Sequence, residues 1–68
     1  MEPYWITAAG QVITPSEMDS KHIENTIKCL NGEGKSVIPD RYCGLRRELW
    51  LEIFNNELSK RNFLLIFN

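Results

Sequence analysis

Two short runs of aromatic and β-branched residues, Tyr4-Trp5-Ile6-Thr7 and Gln11-Val12-Ile13-Thr14, flank a small loop, Ala8-Ala9-Gly10. Such runs favour extended backbone. A three-residue hairpin loop commonly ends at positive φ, which Gly10 adopts without a Cβ clash. The same stretch leads straight into helix-opening signals. Thr14-Pro15-Ser16-Glu17 has the spacing of a capping box with proline at the first helical position, and Asp19 offers a second cap a turn later. The segment therefore predicts a hairpin, a short turn over 15–18 and a helix from Ser20. A two-stranded hairpin is marginal alone, so one of its faces must lie on helices.

The first helix carries Ile23, Ile27 and Leu30 on one stripe and stops at Asn31-Gly32. From Gly32 to Gly44 no period is visible, and a long irregular connection in so small a domain is a place where function sits. Within it, Val37-Ile38 is a short apolar anchor and Pro39-Asp40 a turn. A second helix is predicted from two adjacent rows, Leu45, Leu49, Ile53 and Trp50, Phe54, Leu58. Leu51 falls away from that face, either as a scattered exposed residue or as part of a contact surface. The tail Phe63-Leu64-Leu65-Ile66-Phe67 has no internal period and is compatible with a third strand, a helix extension or a dimer contact. A strand or an interface is the expectation, since an exposed apolar run is prone to aggregate. As a strand facing the core with Phe63, Leu65 and Phe67, it would turn Leu64 and Ile66 outward along a sheet edge.

These elements define an α+β fold: a short β-hairpin, with the C-terminal run as the candidate third strand, packed on two α-helices in one domain over residues 1–68. At 68 residues such a chain buries only about 60% of its unfolded surface, so large side chains must close the core. The expected core is Ile23, Ile27, Leu49, Ile53 and Phe54, with Trp5 and Trp50 as anchors.

Eight Lys and Arg against nine Asp and Glu leave a net charge of −1. That argues against a dedicated nucleic-acid binder, which carries a basic excess, and against an acidic nucleic-acid mimic. The N-terminus lacks the basic and apolar regions of an export signal, and no run approaches the roughly 20 apolar residues of a membrane span. A cytoplasmic setting is expected, in which Cys29 and Cys43 stay reduced.

Chemistry is sparse. His22, the single histidine, has Asp19 and Cys29 on its own helix but no positioned nucleophile, and packing against the hairpin is the simpler reading. One His and two isolated Cys do not make a zinc site. Gly34-Lys35-Ser36 lacks the first glycine and the preceding strand of a phosphate loop. No enzyme, metal or cofactor is expected. Arg41, Arg46 and Arg47, with Tyr42 beside them, form the one basic cluster. It suits nucleic-acid phosphates or an acidic protein surface, unless it is simply a solvated helix start. Arg41, Tyr42, Arg46, Arg47, Leu51, Leu64 and Ile66 are the candidate partner-binding residues.

Trp5, Thr7, Gly10, Ile13, Met18, His22, Ile23, Asn25 and Ile27 together resemble the pattern of small uncharacterised phage and prophage proteins. A second stretch, Trp50, Leu51, Phe54, Glu57, Leu58 and Arg61, is similar to the later helix of those proteins, while the tail from Asn62 departs from it. The resemblance implies a phage accessory protein that binds a host protein, with inhibition of a defence system such as CRISPR–Cas as one such role. A nucleic-acid-associated accessory protein using Arg41, Arg46 and Arg47 is the alternative. A homodimer through residues 63–67 is a further expectation.

Overall fold

The computed structural model describes residues 2–34 and 37–67, with side chains up to Asn62. Strands β1 (Trp5–Ile6) and β2 (Val12–Ile13) pair antiparallel with Trp5 opposite Ile13 and Ile6 opposite Val12. The turn between them is closed by Gly10 N–H donating to Thr7 O at 2.9 Å and Thr7 N–H to Gln11 O at 2.8 Å. Gly10 sits at φ 84°, as the loop length demands.

A single 3-10 turn, Pro15–Glu17, follows. The Glu17 carboxylate reaches back to accept from Thr14 N–H at 2.8 Å and from Thr14 Oγ1 at 2.9 Å. Helix α1 (Ser20–Leu30) then starts on Asp19, whose side chain accepts from His22 N–H at 2.8 Å. Its end is a Schellman closure: Glu33 N–H donates to Lys28 O at 2.8 Å and Gly32 N–H to Cys29 O at 3.1 Å. The caps therefore stand where the sequence places them.

Between the helices lies a second hairpin that the sequence did not announce. Strands β3 (Arg41–Tyr42) and β4 (Leu45–Arg46) pair antiparallel around Cys43-Gly44. Cys43 has φ 50° and Gly44 φ 84°, both positive, as the tight two-residue hairpin turn requires. Arg47 N–H extends the ladder to Asp40 O at 2.7 Å. Leu45 is thus a strand residue and not the first row of the second helix.

Helix α2 (Arg47–Phe67) continues through the apolar tail, so the C-terminal run is not a third strand. No proline or glycine interrupts the chain after Gly44. A helix also satisfies its backbone internally, whereas a five-residue strand would need an edge longer than either two-residue hairpin offers. The expected inward and outward faces of Phe63 to Phe67 lie outside the described residues.

The core is aromatic. Trp5, Met18, Ile23, Leu30, Trp50 and Phe54 are buried. The Trp5 ring centroid lies 4.8 Å from Tyr42, 4.9 Å from Trp50 and 5.3 Å from Phe54, in tilted or edge-on arrangements that suit ring quadrupoles. Trp50 Nε1–H donates to Tyr42 O at 2.6 Å, fastening α2 beneath the second hairpin. Ile27 and Ile53 are half-buried against this cluster. Leu49 is a correction: it is 42% exposed. With Trp50 and Phe54 centring the buried face, position 49 falls about 100° off it and emerges. At the other end of α2, the Arg61 guanidinium donates to Glu57 Oε2 at 3.0 Å and to Ser20 Oγ at 3.1 Å.

Candidate functional site: an arginine hairpin and a cavity beside the first helix

Side chains alternate across a strand, so each pair in β3–β4 presents to one face. Tyr42 and Leu45, paired with each other, are half-buried and pack on the core. Arg41 and Arg46, also paired, are exposed on the opposite face. Directly opposed side chains on an antiparallel ladder stand about 5 Å apart at Cβ, and like charges so placed destabilise the pair. Neither arginine has an acidic partner within salt-bridge distance among the described residues.

The third arginine of the cluster points elsewhere. Arg47 Nη2–H donates to Ile38 O at 2.6 Å and lies 3.2 Å from Asp40 Oδ1, and its Nε is buried without a hydrogen-bond partner. Arg47 braces the 38–40 segment against the start of α2. Tyr42 is committed as well. Its hydroxyl donates to Ile6 O at 2.8 Å, and burial pushes its phenol above the usual tyrosine range. Leu51 is half-buried against the core. The side chains of Leu64 and Ile66 lie outside the described residues. Of the seven candidate positions, the structure brings Arg41 and Arg46 together on one free face.

Leu49, which helical spacing in the sequence places in the core, joins them at the surface. Together with Leu45, Glu48 and Glu52, it lines a shallow groove beside the two arginines. The groove is thus mixed in charge with an apolar floor. Its signal was present in the sequence only as the spacing Glu48-Leu49-x-x-Glu52, which every exposed helix edge shares.

A second concavity lies between β1, α1 and the segment leading to β3, with a volume of about 290 Å³. His22, Asn25 and Cys29 on α1 lie along one wall, and Trp5 and Tyr42 along the other. Cys29 and Cys43 are both free thiols. No group of three His, Cys, Asp or Glu able to hold a metal exists among the described residues. Lys35 and Ser36, the heart of the phosphate-loop-like stretch, lie outside them. No described helix is long and apolar enough to cross a membrane. Comparison with protein families, with curated proteins and with solved structures returns no match.

Proposed function

We propose that this protein is a binding module that docks on another protein through the outer face of its second hairpin. In the fuller form of that reading it is a phage accessory protein acting on a host protein, with a defence nuclease complex such as CRISPR–Cas as the target. The observation that carries the docking face is the unneutralised Arg41–Arg46 pair beside Leu49, Glu48 and Glu52. Two exposed arginines paired directly across the ladder weaken the hairpin, and an acidic partner relieves that repulsion with directional, bidentate hydrogen bonds. Exposed Leu49 supplies an apolar contact between them and the helix.

The same arginines serve the nucleic-acid alternative less well. A phosphate backbone is anionic throughout and would meet the carboxylates of Glu48 and Glu52, whereas a protein face can set acidic groups on the arginines and donors on the carboxylates; Arg47 is turned to the chain itself. The apolar run at residues 63–67 extends the reading to self-association. Sedimentation of the full chain against one ending at Asn62 checks that extension.

The test compares the tagged chain with its Arg41→Glu, Arg46→Glu double variant in host lysate, with and without nuclease. The expected result is one defined protein held by the parent chain, insensitive to nuclease and lost from a variant that melts normally. Capture that disappears with nuclease and falls steeply with salt assigns nucleic acid instead. Equal capture by both chains removes the hairpin from the interface.

A further inference from the structure

Helix α1 has two working faces. Ile23, Thr26 and Leu30 are buried, whereas His22 and Asn25 turn to the cavity of about 290 Å³ that opens toward β1 and Tyr42. Two hydroxyls near this space are already engaged: Thr26 Oγ1 donates to His22 O at 2.8 Å and the Tyr42 hydroxyl to Ile6 O. The His22 ring and the Asn25 carboxamide have no hydrogen-bond partner among the described residues. Among the described residues, no Asp, Glu, Lys or Arg lines the cavity, in a chain where a quarter of residues are charged. Val37 stands 94% exposed at its edge.

We propose that this cavity binds a neutral, planar heteroaromatic ring. Such a ring would lie against half-buried Tyr42, with the narrow exposed margin of Trp5 beside it and its polar edge toward His22 and Asn25. Size fits, since an apolar cavity of about 150 Å³ accepts benzene and this one has room for two fused rings. Charge fits, because an ionised ligand entering here would lose water with no group of opposite sign among the described lining residues to replace it. Shape and polarity fit together. Aromatic walls favour stacked or edge-on rings over aliphatic ones, and an imidazole and a carboxamide can donate to or accept from a ring nitrogen. This site lies on the inner side of the β3–β4 hairpin, so it stands independently of the outward arginine face.

The test uses the full chain labelled with 15N, titrated with indole at millimolar concentration. Cyclohexanol and benzoate serve as the aliphatic and anionic controls. The expected result is saturable amide shifts confined to residues around the cavity, with indole bound more tightly than either control. Asn25 is exposed on α1, so its replacement leaves the core untouched. Asn25→Ala weakens indole about three- to tenfold, the value of one hydrogen bond. Asn25→Trp, which lays a bulky ring over the opening, abolishes binding, and both variants melt like the parent. Absence of saturable shifts overturns the proposal. So does cyclohexanol or benzoate binding as tightly as indole, or an Asn25→Trp chain that still binds.

Discussion

Arg61 donates through Nη2 to the Met18 carbonyl at 2.6 Å, joining α2 to the junction between the 3-10 turn and α1. The same nitrogen lies 3.4 Å from both Pro15 O and Ser16 O. One guanidinium therefore serves the Ser16 and Met18 carbonyls at the end of the short turn and shares Pro15 O with the Met18 N–H. Glu57 holds its other side and keeps the planar group oriented. Arg61→Ala should lower unfolding free energy by about 1–3 kcal/mol. Arg61→Lys should recover only part, since a single ammonium cannot span these acceptors. Urea denaturation of the two variants reads the difference.

Trp50→Phe keeps a large ring but deletes the Nε1–H donated to Tyr42 O. That carbonyl then loses its partner at the base of the second hairpin, for a loss of about 1–2 kcal/mol. Phe54→Ala empties a fully buried site and should cost about 3–5 kcal/mol, enough to unfold most of a domain this small. Ile53→Ala should cost less than Phe54→Ala, because Ile53 is only half-buried. Thermal melts ranked in any other order would contradict this core.

Cys43 holds φ 50° at the first central position of a tight turn, where asparagine is at ease and cysteine is not. Cys43→Asn creates Asn-Gly at 43–44 and should stabilise the chain by about 0.5–1 kcal/mol. Cys43→Val should do the opposite, since a β-branched residue tolerates that backbone least. Paired melting curves of the two variants give the sign directly.

Replacing Arg46 by Glu places opposite charges across the β3–β4 pair and should stabilise the hairpin by about 0.2–1 kcal/mol. The same change removes half of the proposed docking pair. Stability and partner affinity should move in opposite directions, and a variant that gains both would detach the arginines from binding.

The Glu17 carboxyl is held below its ordinary pKa of 4.5, first by the backbone N–H of Thr14 and then by the Thr14 hydroxyl. A depressed folded-state pKa contributes stability that is present above the unfolded value and lost as pH falls through the folded one. Glu2 is lowered in the same way by the Ser16 hydroxyl and backbone. Stability should decline below about pH 4.5, and Glu17→Gln should flatten that decline. Chemical denaturation repeated across the acid range measures the slope.

The first hairpin and both helix caps were legible because Gly10, Thr14, Asp19 and Gly32 act on residues within five positions of themselves. The second hairpin was not. Its strands are two residues long, too short to show alternation, and Cys43-Gly44 replaces the dipeptides that usually mark such a turn. Taking Leu45 as helical then rotated the inferred face of α2 and drew Leu49 into the core. The tail was ambiguous because five apolar residues in a row carry no period. At the candidate site, Arg41, Arg46 and Arg47 looked like one cluster in sequence. Pairing across a turn sets the first two side by side, and the onset of α2 sends the third toward Ile38.

The two hairpins belong to separate sheets and share no ladder, and Trp5 lies against both the Tyr42 ring and the α2 aromatics. Neither hairpin is long enough to persist in water unaided. Each therefore depends on what it packs against, and the indole of Trp5 is a support that the two share. Folding should be all-or-none, with no stage in which one ribbon forms before the other. Amide exchange in β1 and β3 should accordingly show the same opening free energy, although 34 residues lie between Ile6 and Arg41 in the chain.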